Sequence, residues 1–281
     1  MASTKVDEPL SLLVIVAHPH DFTHVSGTCG HHIDAGDQVA IVFLTDGGTT
    51  HNELLYDEML KDPDQRDARI VKRPHAEYVA AKAAEMRAAC DLFGIRDVTI
   101  LPNEDNFIKV TDELVEDVTT IICDRRPDVI ITQRPQHPRQ HQVRLPDDHF
   151  IAAEAAHHAI ARAMRVEAGT DRRPHEVTQI FYIGVDTGPN EIDLFVDISD
   201  QVEKRVQAEA MYTTQGSTPE KARRKVELVT GFYGWYARVQ HAEPFIRANP
   251  ELMSRLPLSP AQRAICVEPH RQRERRLGGQ K

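Results

Sequence analysis

Three residues at the end of one apolar run carry the first chemical signal in this chain. Leu12-Leu13-Val14-Ile15-Val16-Ala17 passes abruptly into His18-Pro19-His20-Asp21. An unbroken Leu/Val/Ile run of this length reads as a strand buried on both faces, as in a parallel sheet. Open α/β sheets place their ligands at the carboxyl ends of such strands. His18 and Asp21, three apart on a turn forced by Pro19, can therefore coordinate one metal ion through nitrogen and oxygen. The spacing H-x-x-D is a weak signal by itself, and its place at a strand end gives it weight. The structural alternatives are a His bonded to backbone and an Asp capping the helix that begins near Phe22.

The elements that must position these groups follow an alternating rhythm. Strands are expected at 11–16, 38–44, 97–101, 128–132 and 179–183, with a further β segment at 193–197. Helices are expected at 24–35, 76–93, 112–125, 148–164, 200–213 and 218–239. Alternation of this kind predicts an α/β fold, a single doubly wound, Rossmann-like domain with a mostly parallel sheet. The catalytic domain is expected over 9–240, with 241–281 as a Pro/Arg-rich C-terminal extension. Two connections, 48–75 and 133–147, are longer than ordinary α/β loops. Both leave the carboxyl ends of strands and hold His51, Arg66, Arg134 and His141, so they are expected to converge over the site. His51, Arg66 and Arg134 are read as substrate contacts, against the alternative that the loops serve packing or subunit contact.

Composition narrows the classes. The chain has 281 residues, a formal net charge of −9 and 41% hydrophobic residues. A soluble core is expected, and the acidic balance argues against nucleic acid. No run of 18 apolar residues suggests a membrane span. Met1 to Leu10 lacks the apolar core of a signal peptide, so a cytoplasmic location with reduced thiols is expected. The four cysteines, Cys29, Cys90, Cys123 and Cys266, show no C-x-x-C spacing. Absence of G-x-G-x-x-G after the first strand and of G-x-S-x-G argues against dinucleotide and serine-hydrolase readings.

The motifs in order resemble the LmbE/PIG-L family, zinc-dependent de-N-acetylases that act mainly on N-acetylglucosamine conjugates. Ala17-His18-Pro19-His20-Asp21-Phe22 stands where members carry Ala-His-Pro-Asp-Asp-Glu. Gly27-Thr28, Thr45-Asp46-Gly47, Arg126-Pro127-Asp128, Asp148-His149, Val196 to Ser199 and Gln215 follow in the family's order. The resemblance spans about residues 10 to 215. It implies that His18, Asp21 and His149 bind Zn2+ and leave a position open for water, with Asp148 supporting a ligand or capping a turn.

Two residues depart from the signature. His20 occupies the position of the family's general base, and a neutral imidazole can also accept a proton. One carboxylate fewer leaves the site one unit more positive, which favours ionisation of a metal-activated water and opposes imidazolium. Asp46 is the acid expected to offset this. A further metal ligand or a substrate contact are the other readings of His20. Phe22 replaces an acid and is expected to pack on the sheet, with His24 restoring a polar contact. Pro146 stands where the family has an oxyanion-stabilising His; His141, ahead of His137, is the expected substitute. Tyr212 replaces a His and retains a donor.

The resulting expectation is a metal-dependent hydrolase that cleaves the C–N amide bond of a small molecule, with His20 and His141 as catalytic residues. The alternative is a family relative that binds metal or ligand without hydrolysis, or that uses Fe(II), whose two-His-one-carboxylate set has the same composition. A homo-oligomer stays open.

Overall fold

Strand β1 (Ser11–Val16) explains why the chain needs two layers of helices. Its side chains alternate: Leu12, Val14 and Val16 enter one apolar core, and Leu13 and Ile15 enter the other. A strand buried on both faces must lie inside a sheet covered on both sides. The computed structural model describes residues 8–49, 52–106, 108–135, 147–185 and 187–278.

The elements follow in the order β1, α1 (Ser26–Asp34), β2 (Gln38–Phe43), α2 (Glu53–Met59), α3 (Ala68–Val71), α4 (His75–Asp91), β3 (Asp97–Ile100), α5 (Asp112–Arg125), β4 (Val129–Thr132), α6 (Asp148–Ala163), β5 (Gln179–Ile183), β6 (Leu194–Asp197), α7 (Val202–Ala210), α8 (Pro219–Ala237), β7 (Ala242–Arg247), α9 (Pro260–Val267) and α10 (His270–Leu277). The sheet order is β3-β2-β1-β4-β5-β7-β6. Pairs from β3 to β5 are parallel, in register Leu13↔Ala40 on one side of β1 and Leu13↔Ile130 on the other. β7 runs antiparallel to both β5 and β6. The α/β, mostly parallel, doubly wound fold expected from the sequence is the one observed.

One core packs Phe22, Cys29, Met86 and Cys90 against the sheet, and the other packs Leu114, Val118 and Ile122 with the alanines of α6. Ala152, Ala155, Ala156, Ala159 and Ala163 are all fully buried, so α6 presents a flat face of small side chains to its neighbours. The helix ends carry local instructions. Thr111 caps α5 through Leu114 N–H, and α5 stops at Arg126 with φ 49°. Asp147 caps α6 by accepting Phe150 N–H at 3.1 Å, which fixes where Asp148 and His149 emerge.

One strand lies within the segment expected as an extension. Residues 242–247 form β7, inserted between β5 and β6, so the sheet continues past residue 240. The 48–75 connection is not structureless either: its described residues hold α2 and α3. Cys29 and Cys90 are buried free thiols, Cys123 is half-buried and Cys266 is exposed. No helix among the described residues is long and apolar enough to cross a membrane.

Candidate metal centre

The parallel strand order reverses between β1 and β4, whose carboxyl ends open a crevice. Doubly wound sheets bind ligands at such a switch point. β1 feeds His18, Pro19, His20 and Asp21 into one side of it. β4 runs into Gln133 on the other side, and the first turn of α6 adds Asp148 and His149.

Asp21 does not cap a helix here. It opens a one-turn 3-10 helix, Asp21–Val25, that has no side-chain cap. Its Oδ2 accepts His18 N–H at 2.8 Å and the Gln133 Nε2 amide at 2.8 Å. The turn is thereby folded onto the carboxylate, and the carboxylate is oriented before any ligand arrives.

His18, Asp21 and His149 converge into one cluster. His18 Nδ1 lies 3.1 Å from His149 Nε2. Asp21 Oδ1 is 3.3 Å from His149 Nε2, and Oδ2 is 3.6 Å from His18 Nδ1. Ligand bonds of about 2.0–2.2 Å at tetrahedral angles put donor atoms about 3.4 Å apart. The three donors therefore fit one small divalent ion by spacing and by type.

The other ring nitrogen of His18 is held as well. His18 Nε2 is 3.0 Å from Asp148 Oδ2. Asp148 in turn accepts the backbone N–H groups of Asn106 and Ile108. A carboxylate on the far nitrogen fixes the ring orientation and increases its basicity as a ligand. Asp148 contacts His18, and Asp147 does the capping.

The charges follow from this packing. Burial opposes a charged His18, but Asp148 and Asp21 outweigh it and hold its pKa up at about 10. Burial would likewise raise Asp21, yet His149 and His18 hold it well below the usual carboxylate range. Asp21 raises His149 despite that ring's burial. The two carboxylates favour protons on these imidazoles, so a metal ion would compete with protons for the cluster.

The other residues singled out by the sequence divide. His20 is partly exposed, with Nε2 3.6 Å from Asp21 Oδ1 and its ring parallel to that of His18, centroids 6.3 Å apart. Asp46 is not its counter-charge: Asp46 Oδ1 accepts Gly48 N–H at 2.8 Å, and the acid beside His20 is Asp21. His24 meets His20 edge-on at 6.3 Å. Burial, then Lys225 and Arg205, push its pKa down to about 3. His20, Asp21 and His24 form a second cluster of metal-ligand type, but those two cations oppose another positive ion there. Phe22 is fully buried and packs edge-on against Phe93, as expected. Tyr212 is buried and donates to Pro19 O at 2.7 Å, bracing the turn that carries His18 and Asp21.

Arg66 donates to the carbonyls of Met59 and Lys61, closing the α2–α3 segment on itself. Arg134 pairs with Glu191 at 2.8 Å. His51, His137, His141 and Pro146 lie outside the described residues.

Sequence reasoning missed Gln133 and Glu243. Gln133 had a readable signal, a polar residue directly after the apolar strand 129–132. Glu243 had none. It comes from β7, accepts Gly27 and Thr28 N–H at 3.0 and 2.8 Å at the start of α1, and pairs with buried Arg205 at 2.9 Å.

Fold and cluster together define a class: a doubly wound α/β protein with a two-His, one-carboxylate cluster at its switch point that could hold a metal ion. The family model described as PIG-L: GlcNAc-PI de-N-acetylase matches residues 13–160. The chain belongs to this family, and with it to the deacetylase-type hydrolases. Diacetylchitobiose deacetylase of Thermococcus kodakarensis is 24% identical over 220 residues, covering 75% of this chain and 73% of that protein. Two solved structures share the fold. GalB, the 4-carboxy-2-hydroxymuconate hydratase from Pseudomonas putida KT2440, has a TM-score of 0.70 at 17% identity, covering 89% of this chain and 100% of that one. N,N'-diacetylchitobiose deacetylase from Pyrococcus horikoshii has a TM-score of 0.67 at 21% identity, covering 84% and 82%.

Proposed function

We propose that this protein is a zinc-dependent amide hydrolase acting on a small molecule, with His18, Asp21 and His149 as ligands and His20 as proton acceptor. The observation that carries it is the convergence of His18, Asp21 and His149 at the switch point, with one ligand atom from each lying within 4.8 Å of the others. Zinc held by three protein ligands supplies a Lewis acid that lowers the pKa of water and polarises a carbonyl.

The chain's own residues do the rest. Asp21, fixed by Gln133 and by His18 N–H, remains an anion. Asp148 keeps His18 presenting Nδ1 to the cluster. His20 stands on the accessible side, where its Nε2 can take a proton from attacking water and return it to the departing nitrogen. Asp21, 3.6 Å away, favours the imidazolium that this requires. A residue of the 136–146 stretch, His141 first, would steady the oxyanion.

Two imidazoles and one carboxylate also suit ferrous iron, and the likeness to GalB extends to a hydratase, so fold alone does not select the reaction. The test starts with metal analysis of the purified protein, followed by amine release from an amide panel with and without chelator. His20→Ala should cut turnover by roughly 10²–10⁴ with metal content unchanged. Loss of metal in that variant would instead make His20 a ligand. Iron in place of zinc, or no amine release from any amide by the metal-loaded protein, would refute the proposal.

A further inference from the structure

A second feature near the crevice is a cavity of about 560 Å³ between the 48–75 segment and α4. Its walls are mostly hydrocarbon, from Leu54, Leu55, Ile70 and the ring of Tyr78, and two arginines border it. Those arginines differ. Arg69 holds both oxygens of Asp67, at 3.2 Å through Nε and 2.7 Å through Nη2. Arg73 lies over the Tyr78 ring, Cζ 5.5 Å from its centroid, and its guanidinium has no hydrogen bond or ion pair among the described residues. Asn52, also on the cavity wall, caps α2 by accepting Leu55 N–H through its side-chain oxygen.

The cavity adjoins the turn that carries His18 and Asp21. It begins at Gly48 and Thr49. The preceding Gly47, at φ 69°, lies so close to Pro19 that a Cβ would stand 2.3 Å from the proline ring. Thr49 N–H donates to Asp105 at 2.6 Å. The next residue, Asn106, donates to Asp148, which holds His18. The cavity rim and the ligand sphere therefore share one short stretch of backbone.

We propose that this cavity binds the far end of the substrate, and that this end is an apolar group terminated by a carboxylate that pairs with Arg73. The proposal rests on the reading of the cluster as the reaction centre. A guanidinium fork matches a carboxylate in geometry and charge, and stacking on Tyr78 keeps it oriented. Hydrocarbon walls reward an aliphatic or aromatic body. The substrate class is thus an amide whose apolar body ends in a free carboxylate.

The test uses the metal-loaded, full-length protein and three amides with the same acyl group and aromatic body, ending in carboxylate, in carboxamide or in phosphonate. The carboxylate amide should have the highest kcat/KM. Arg73→Met should lower its kcat/KM by roughly ten- to a hundredfold, mainly through KM, and leave the carboxamide unmoved. Equal loss for all three, or preference for the carboxamide or the phosphonate, overturns the proposal. To separate this from failure of the hydrolase reading, 4-phenylbutyrate binding is titrated by calorimetry into wild type, His149→Ala and Arg73→Met. Binding kept in His149→Ala and lost in Arg73→Met supports the subsite even if no amide turns over. No binding to wild type overturns it whatever the turnover.

Discussion

From β3 to β5 every strand pair is parallel, and each loop leaving a carboxyl end in the crevice brings a polar group to the cluster: His18 and Asp21 after β1, Gln133 after β4, His149 at the start of α6. From β5 to β6 the pairs are antiparallel, and none of the three clustered ligands comes from there. The chain after β5 holds the donor-bearing turn and α1 instead, through β7 and through α7 with the residues just after it. Glu243 of β7 holds the start of α1, Tyr212 holds the carbonyl of Pro19, and Glu209 accepts from Thr23 Oγ1 at 2.8 Å while pairing with Lys225. One region supplies donors, and the other fixes the turn that bears them. The comparison teaches that ligand positions are set by buried polar contacts made far away in sequence.

The sharpest way to break that division is at a ligand. His149→Ala should remove stoichiometric metal, measured by mass spectrometry of the dialysed protein, with turnover lost alongside it. Retained metal would mean that the donors lie elsewhere.

Glu243→Ala should act on folding. It leaves buried Arg205 without its acid and the N–H groups of Gly27 and Thr28 without an acceptor. Losing one partner of a buried pair costs about 3–5 kcal/mol, readable in a denaturant midpoint. The folded fraction should still bind metal. Metal loss at unchanged stability would erase the contrast between the two regions.

Asp148→Asn falls between the two. The amide cannot replace the anion on His18 Nε2, so metal affinity should drop by roughly 10–100-fold with the fold intact. A competition titration against a chromogenic chelator reads this directly. Unchanged affinity would reduce Asp148 to a structural anchor for Asn106.

The smallest effect is expected for Tyr212→Phe. It strips the Pro19 carbonyl of its donor at a fully buried site, at a cost of about 1–3 kcal/mol. Thermal denaturation should detect it while metal stoichiometry stays constant. A change in stoichiometry would place Tyr212 in the ligand sphere rather than beneath it.

Much of the architecture was legible. The strands at 11–16 and 179–183 and the helix at 112–125 have the ends that their apolar runs and caps imply. β7 was not legible, because Pro244 argues against a strand interior. The sheet tolerates it because Pro244 stands beside Gly184, just past the end of β5, and its carbonyl accepts Gly184 N–H at 3.0 Å. Among the clustered residues, His18 and Asp21 were readable from spacing and His149 through resemblance.

The sequence by itself determined the alternating β/α rhythm, the two-faced burial of β1 and the delivery of His18 and Asp21 to a strand end. These are local consequences, since period, turn chemistry and side-chain type act over a few residues. Tertiary structure alone decided that Asp148 rather than Asp147 supports His18, that Asp21 and not Asp46 faces His20, and that Glu243 holds α1. The Asp148 and Glu243 contacts join groups more than 100 residues apart, and the first also turns on which of two adjacent acids a helix turn aims inward. Hydrogen-bond geometry at about 3 Å is settled only when the sheet brings those groups together.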